Sequence, residues 1–341
     1  MKRPPLVRTS ERGDFKHCQW YWWIHWHHRW SPRRAPTWSW FGIAIHEGLA
    51  ARYPIGKKRG SLDEMYAAFE AALEGETRRI YIAGEEDIQE KEIVEARVLG
   101  RAMLKGYVLK YGKDTPWKVV HTEQAFQIDV VDKKGRLLAI YCGKWDLLIW
   151  DMRDKVFRLV DHKTARAFGD MSWLTINDQA GSYLWVAPEV LTGLGIFKGG
   201  EQIDGIEFNY LRKALPDLRP QSADGKSLNK NGTVSLRQPS PLFLREQTWR
   251  APVERVTQYR RVVAEVNQMN AIRRGKFEPT KNPTHDCKRC PLFEVCELHE
   301  QGSDWEDMLR HTFVQRDPYA DHRAAVDEGK VYIITDLEED K

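Results

Sequence analysis

The spacing of hydrophobic and polar residues changes along the chain and separates a helical first third from a strand-rich middle. Helices are predicted at 38–53, 61–73 and 87–111, and the second begins with the capping box Ser61-Leu62-Asp63-Glu64. Alternating and β-branched residues then predict strands at 117–131, 136–151 and 155–164, joined by turns at 132–135 and 152–154. A helix at 173–187 and a strand at 205–214 follow. This order predicts an α/β fold with three antiparallel strands.

The second half of the chain differs in composition. Residues 215–241 are rich in Pro, Ser, Gly and Asn, which predicts a long, mobile loop. Helical spacing returns at 246–275, a cysteine cluster follows, and the acidic residues 336–341 are expected to fray. We therefore divide the chain into an aromatic and helical region, a core, a loop, a helix with the cysteines, and an extension, at 1–115, 116–214, 215–245, 246–300 and 301–341.

Composition and charge narrow the class of protein. Hydrophobic residues make up 42% of the 341, so a sizeable core can form. The net charge of +4 is too small for a histone-like polycation, and any contact with nucleic acid must come from a local patch. No apolar run of about 18 residues and no signal-peptide core is present, so we expect a cytoplasmic protein without membrane contact. Because thiols stay reduced there, the five cysteines need an explanation other than disulfides.

The third predicted strand ends in Asp161-His162-Lys163-Thr164. Because side chains alternate between the faces of a strand, Asp161 and Lys163 should share one face and His162 the other. Asp146, on the preceding strand, should lie beside them. Carboxylates suit Mg²⁺ or Mn²⁺, and a lysine can orient water and offset charge during phosphodiester hydrolysis. The alternative for a single D-x-K tripeptide is an ordinary surface ion pair.

Five motifs, in order along the chain, resemble those of one nuclease superfamily. They are GIAIHEGL with His46, HTEQAF with Glu123, G-x-x-D at Gly143 and Asp146, D-x-K at Asp161 and Lys163, and Q-x-x-x-Y at Gln179 and Tyr183. Together they resemble the PD-(D/E)XK nuclease superfamily, and within it the RecB-like exonuclease branch, over roughly residues 15–300.

The resemblance implies a restriction-endonuclease-like core, in which helices flank a mixed central sheet. It also implies roles for individual residues: His46, Asp146 and Asp161 as metal ligands, Glu123 near the metals, Lys163 to position the attacking water, and Gln179 and Tyr183 to orient the DNA or the lysine strand. Taken alone, His46 would be a core histidine and Glu123 a solvated strand residue. Gln179 and Tyr183, four residues apart, would be an ordinary polar contact on one helix face.

Three of the cysteines, Cys287, Cys290 and Cys296, have the spacing C-x2-C-x5-C. A C-x2-C step lets two thiolates reach one metal centre, and a closed site needs a fourth thiolate. Cys18 and Cys142 are the candidates, although Cys142 lies in a predicted strand and has the character of a small buried hydrophobe.

A lone N-terminal cysteine with a C-terminal triplet is similar to the iron–sulfur clasp of the CRISPR-associated RecB-like exonucleases and of AddB-type helicase-nucleases. This resemblance implies that Cys18, Cys287, Cys290 and Cys296 hold a [4Fe–4S] cluster, which joins the helical N- and C-terminal parts around the core. The alternatives are a four-thiolate Zn²⁺ site and three unliganded cysteines.

Residues 15–41 contain seven of the 14 tryptophans, mixed with histidines and arginines. Rings can stack on unpaired bases while cations contact phosphates. The alternative, which we favour for Trp20, Trp22, Trp23 and Trp26, is that the rings pack against the metal cluster and the back of the sheet. Residues 29–34 would then be the part of this segment that contacts DNA.

These observations predict metal-dependent hydrolysis of DNA phosphodiesters, most simply by an exonuclease. Recombination, repair, phage DNA processing and CRISPR adaptation are all compatible settings. No helicase P-loop is present, so a helicase or an adaptation or recombination protein would be a partner, and a homo-oligomer is compatible with the family. Two further hypotheses are a non-catalytic DNA-binding or scaffold subunit and a zinc-stabilised interaction module.

Overall fold

The computed structural model describes residues 4–33, 37–82 and 89–334. The predicted frayed tail at 336–341, Arg34 and the side chain of Trp38 lie outside the described residues.

The described part contains nine β-strands. They are β1 (Leu6–Val7), β2 (Trp30–Pro32), β3 (Trp117–Val131), β4 (Leu137–Asp151), β5 (Val156–Ala165), β6 (Ile203–Arg212), β7 (Phe243–Thr248), β8 (Phe313–Gln315) and β9 (Val331–Ile334). Strands β3 to β6 lie within one or two residues of their predicted bounds, because their alternating pattern is local and strong.

Ten α-helices are described beside these strands. They are α1 (Thr9–His17), α2 (Gln19–Trp22), α3 (Thr37–Arg52), α4 (Leu62–Ile82), α5 (Glu90–Tyr111), α6 (Asp178–Gly193), α7 (Pro252–Arg273), α8 (Phe293–Glu300), α9 (Trp305–Thr312) and α10 (Ala320–Asp327). The predicted capping box at the start of α4 is formed, since the Ser61 hydroxyl accepts from the Glu64 amide and the Glu64 carboxylate accepts from the Ser61 amide.

The fold is α/β, with a mixed seven-stranded central sheet flanked by helices, as in a restriction-endonuclease-like core. The strand order is β7-β6-β5-β4-β3-β9, and β1 pairs with β4 beside this path. Strands β3, β4 and β5 form antiparallel pairs, whereas β5 and β6 are parallel and are connected through α6. The expected fold class is therefore confirmed.

Two hydrophobic cores cover the faces of the sheet. Helices α6 and α7 pack on one face, where Trp145, Leu159 and Leu184 are fully buried. Helices α3, α4 and α5 pack on the other, around Ile45, Phe69 and other buried residues. One face of α3 packs against this core. The rest of the helix therefore lies along the rim of the sheet where β4 and β5 run.

One edge of β4 is shared by two different strands. Its first half pairs with β1, with Leu6 opposite Ile140 and Val7 opposite Tyr141. Its last residues, 147–151, pair with β5. Residues 142–146 lie between these two ladders, so the sheet opens there, and the D-x-K residues of β5 face the opening.

The region after β6 differs from the prediction in two respects. A helix was expected over 246–275, but residues 243–248 form strand β7 and the helix begins only at Pro252. Proline at the first helical position explains that start, since its missing N–H would have no partner there. The predicted loop before β7 carries internal bridges, between Gln221 and Ser227 and between Leu228 and Val234.

The chain ends meet on the core. Strand β9 extends the sheet beyond β3, and β2 pairs with β8. In α1, the buried Arg12 donates to Glu265 of α7 at 2.6 Å, to Asp178 of α6 at 2.9 Å and to Ser182 at 3.1 Å. The N-terminal helix is thus fixed to the two helices that cover the sheet.

Candidate active site

Three side chains from three elements form a compact group at the opening of the sheet. One nitrogen of His46 on α3 and one carboxylate oxygen each of Glu123 on β3 and Asp146 on β4 lie within 4.8 Å of one another. The strand register explains part of this, because Thr122 pairs with Leu147 and Gln124 with Trp145, which places Glu123 opposite Asp146.

The Asp146 carboxylate is held by two donors. Its Oδ1 lies 3.2 Å from His46 Nδ1, and its Oδ2 accepts the backbone N–H of His162 at 2.6 Å. Burial would raise the pKa of Asp146, but His46 outweighs this effect and holds that pKa well below its usual range. In turn, burial opposes the charge on His46 while Asp146 raises its pKa overall. Asp146 is therefore an anion at neutral pH.

Asp161 and Lys163 share one face of β5, as the alternation predicted. The Lys163 Nζ lies 2.6 Å from Asp161 Oδ2, and Gln179 on α6 donates to Asp161 Oδ1 at 3.1 Å. Burial raises the pKa of Asp161 although Lys163 acts in the opposite direction. Asp161 lies beside the compact group rather than within it, and its charge acts on His46.

The side chains at this opening fit a divalent cation. They offer carboxylate oxygens and an imidazole nitrogen, the donors that Mg²⁺ and Mn²⁺ accept. The buried Oδ2 atom of Asp161 already has the Lys163 ammonium at 2.6 Å, so this side chain adds a carboxylate beside the compact group and not an unpartnered atom. His46, Glu123, Asp146 and Asp161 would hold such an ion.

Glu123 has an unusual backbone and an unusual charge environment. Its φ of +54° lies in the left-handed region, which non-glycine residues rarely adopt. Burial, followed by the neighbouring Asp146, raises the pKa of Glu123 to about 7, while an ion pair with Lys144 opposes the rise. Glu123 is thus close to its titration point at neutral pH, a property that its place in a strand pattern does not indicate.

Gly143 is needed for close packing just before Asp146. A Cβ atom there would lie 2.7 Å from the Phe126 ring and 3.3 Å from the Tyr183 ring. The Tyr183 hydroxyl donates to the Lys144 carbonyl at 2.8 Å and so connects α6 to β4. The glycine of G-x-x-D therefore lets α6 approach the strand that carries Asp146. Gln179 and Tyr183 contact β5 and β4 respectively, from one helix face.

His162 points to the opposite face, as predicted, and takes part in a buried network that the sequence did not reveal. Asn209 donates to His162 Nδ1 at 2.8 Å and to the Tyr107 hydroxyl at 2.9 Å. Arg245 donates to the same hydroxyl at 2.8 Å and to Asp114 at 2.7 Å. Burial lowers the pKa of His162 to about 3, so it is neutral. This network supports β5 from behind.

A cavity of about 530 Å³, which we call the lysine-side cavity, lies beside Lys163. Lys144, Lys163, Gln179 and Tyr183 line it on the side of the candidate active site. The cavity shows that space exists next to Lys163 for a ligand larger than an ion.

Four of the five cysteines lie together at a second site, separate from the candidate active site. Cys18 precedes α2, and Cys296 is on α8. Cys287 belongs to the 3-10 helix His285–Arg289, and Cys290 follows that helix. All four line one cavity of about 380 Å³. The remaining one, Cys142, is buried in β4, and burial raises its pKa to about 12. Of the two candidates for a fourth thiolate, Cys18 is therefore the one that lies near the triplet.

The aromatic N-terminus is largely packed rather than exposed. Trp20 lies in a small core with Leu292 and Val295, and Trp22 in another with Met269. The Trp22 indole donates to Glu11 at 2.9 Å, and that of Trp26 to Asp14 at 2.7 Å. These rings are packed, as we favoured, but Trp20 packs on the cysteine-bearing segment and Trp22 on α7 instead of on the back of the sheet.

Comparison with protein families gives a match over most of the chain. Residues 10–297 match the family model described as the PD-(D/E)XK nuclease superfamily. No curated protein matches the sequence.

Solved structures with similar folds include a "Putative exonuclease" from Eubacterium rectale, with 14% identity and a TM-score of 0.45, covering 84% of this chain and 88% of that one. Another is SSO0001, with 14% identity and a TM-score of 0.32, covering 75% of this chain and 84% of that one. None of the helices within 4–33, 37–82 and 89–334 is long and apolar enough to cross a bilayer.

Proposed function

Because the chain belongs to the PD-(D/E)XK nuclease superfamily, we propose that it is a divalent-metal-dependent deoxyribonuclease that removes nucleotides from DNA ends. The observation that carries this proposal is the meeting of His46, Glu123 and Asp146 with the Asp161–Lys163 pair at one opening of the sheet. These are the residue types that phosphodiester hydrolysis requires: oxygen and nitrogen ligands for a cation, and a lysine beside them.

When bound, Mg²⁺ or Mn²⁺ supplies a Lewis acid and a more acidic water. His46, Asp146 and Asp161 would hold the ion, with Glu123 as a further ligand. The Asp146 carboxylate is kept ionised by His46 and is oriented by the His162 amide.

Lys163 positions the attacking water and offsets charge on the phosphate, in the role the motif implies. Its partner Asp161 fixes the ammonium at 2.6 Å, and Gln179 fixes Asp161 from the neighbouring helix. Tyr183 keeps α6 against β4 through the Lys144 carbonyl. Gln179 and Tyr183 are therefore positioning residues for the two strands of the site.

The test uses the full chain with Mn²⁺ or Mg²⁺ and end-labelled DNA. Asp161→Asn and Lys163→Ala should each lower the rate by about 100-fold or more, because each removes a group that acts at the reacting phosphate. Lys155→Ala, at an exposed lysine in the turn just before the same strand, is the matched control and should cut at the normal rate. Equal cleavage by all four proteins would refute the assignment. DNA binding without metal-dependent cutting would instead favour a non-catalytic DNA-binding or scaffold subunit.

We infer that Cys18, Cys287, Cys290 and Cys296 hold a [4Fe–4S] cluster, with Zn²⁺ as the alternative. The support is the one cavity that all four line, together with the C-x2-C-x5-C spacing of three of them. Iron and sulfide analysis together with broad visible absorbance tests this, and Cys290→Ser should lose the absorbance while Cys142→Ser keeps it. A colourless protein with one zinc per chain would contradict the cluster.

The proposed cellular role follows from the reaction alone, which is the removal of nucleotides from DNA ends. A cytoplasmic nuclease without a helicase motif would act on ends that a partner exposes, as in recombination, repair, phage DNA processing or CRISPR adaptation. Capture of a helicase by the intact chain in the presence of duplex DNA ends, and no capture in their absence, would support that partnership.

A further inference from the structure

The lysine-side cavity has a second wall that comes from the two ends of the chain. Opposite Lys144 and Lys163, it is lined by Arg8, Thr9 and Ser10 at the start of α1, and by Asp321, His322 and Ala325 of α10. No residue of this second wall belongs to the proposed catalytic set, so its presence beside the catalytic lysine needs an explanation of its own.

This wall is fixed to the protein core. Arg8 donates to Asp321 at 3.0 Å, and its guanidinium lies 4.5 Å from the centre of the Tyr319 ring. The Tyr319 hydroxyl donates to the buried carboxylate of Glu11. Helix α10 therefore stays in place through contacts with α1 on its N-terminal side.

His322 lines the lysine-side cavity on the side of β3. Its Nε2 lies 3.2 Å from Gln127 Oε1 on β3, and the side chain is buried. A separate cavity of about 470 Å³ is lined by His322 and Gln127. Because His322 lines both cavities, its contact with Gln127 lies at the boundary between them, and we call this contact the His322–Gln127 partition.

The chemistry of the lysine-side cavity fits the end of a nucleic-acid strand. Lys144, Lys163 and Arg8 provide positive charge, although each also has an acidic partner, and Thr9 and Ser10 provide hydroxyl groups. Ala125, Ala325 and Cys142 provide nonpolar surface for a sugar or base. A volume of about 530 Å³ is within the range of sites that enclose one small ligand.

We propose that the lysine-side cavity receives the terminal nucleotides of the strand being cut, and that the His322–Gln127 partition stops the strand there. The inference rests on the proposed nuclease function and adds where the strand end lies and how long the products are: the end occupies the lysine-side cavity, and the strand is shortened by mononucleotides or dinucleotides. Because the partition bounds the cavity on one side, a strand end can occupy it, whereas a circular strand has no end to place there.

Adjacent alanines on α10 offer a matched pair of variants. Ala325 lines the cavity, whereas Ala324 is exposed and lines neither space. Ala325→Trp should fill the cavity and slow degradation of linear single-stranded DNA by about tenfold or more, because the end can no longer reach its position. Ala324→Trp should degrade the same DNA at the wild-type rate. His322→Ala provides a complementary variant without added bulk and should shift the products to longer oligonucleotides.

The substrates for these proteins are linear and circular single-stranded DNA of the same sequence, with Mn²⁺ and product sizing on denaturing gels. The wild type should reduce the linear strand to mononucleotides and dinucleotides and leave the circle intact. Equal rates for the two tryptophan variants would overturn the inference and leave the proposed function standing. Cutting of both DNAs at similar rates would overturn the inference and the proposed action on DNA ends, and would leave metal-dependent cleavage standing. Absence of metal-dependent cutting of either DNA would refute the nuclease proposal and the inference with it.

Discussion

Replacing Arg12 by methionine tests whether α1 is held by its buried charges. The guanidinium is fully buried and contacts Glu265, Asp178 and Ser182 at 2.6, 2.9 and 3.1 Å. Burial alone would lower the pKa of Arg12, but the two carboxylates raise it overall, which shows how strongly they favour the cation. Methionine has a similar length and no charge, so the change removes the charge with little loss of volume.

The expected loss of unfolding free energy depends on the charges that remain around Asp178 and Glu265 after the substitution. Removing one partner of a buried ion pair costs about 3–5 kcal/mol, because the other charge stays buried without its partner. Lys16 still lies 2.7 Å from Asp178 and 3.6 Å from Glu265 and is partly exposed, so it offsets some of this cost. We therefore expect a loss near the lower limit, about 3 kcal/mol.

The assay is urea unfolding at pH 7, followed by tryptophan fluorescence, with Arg310→Met as the control. Arg310 forms only exposed pairs, at 3.6 Å with Glu306 and 3.8 Å with Asp307, and should lose less than about 1 kcal/mol. The triple variant Arg12→Met/Asp178→Asn/Glu265→Gln should regain much of the lost unfolding free energy, because neither partner of Arg12 is then a buried carboxylate without its cation. If Arg12→Met were as stable as the control variant, the buried network would not hold α1.

Three further predictions concern the site, the response to acid and the cysteine centre. Gly143→Ala should lower both cleavage and the free energy of unfolding, the latter by about 1–3 kcal/mol, because its Cβ would meet the Phe126 ring; Gly169→Ala, which meets nothing within 4 Å, should change neither. Burial would raise the pKa of Asp178, but Arg12 and other partners lower it overall. The stabilising contribution of Asp178 is therefore present above the usual carboxyl pKa of about 3.9, and it is lost as the pH falls through the lower pKa that this group has in the folded protein. The difference in unfolding free energy between wild type and Asp178→Asn should therefore shrink below about pH 4 in urea titrations, and a difference independent of pH would contradict the shift. Removing the metal from the four cysteines with an oxidant and chelator should lower the melting temperature in calorimetry, since metal binding energy is folding energy; an unchanged melting temperature would show that the centre does not join the chain ends.

The core strands and the D-x-K geometry were predictable because they depend on local alternation. A period of two placed Asp161 and Lys163 on one face and His162 on the other, and the structure confirms this arrangement. The strands also follow one another through short turns, so that Asp146 had to lie near Asp161. Each of these inferences needs only neighbouring residues and the geometry of a strand.

The rest depends on contacts between distant parts of the chain. The helix predicted over 246–275 included the last three residues of strand β7, because the six residues of this strand pair with β6 only once the sheet exists. The ion pair of Lys144 with Glu123 needs the register of β3 and β4, which the sequence leaves open. The network of Asn209, Tyr107 and Arg245 joins α5, β6 and β7 and shows no spacing that a sequence pattern could reveal.

Strand β9 has a consequence for how the protein can be handled. It pairs in parallel with β3 over Ala125 to Ile128, and its last residue is only seven from the end of the sequence. A truncation before residue 331 would leave this border of β3 with free N–H and C=O groups, the kind of surface on which chains join edge to edge. Shortened versions should therefore self-associate, so an affinity tag should not replace β9.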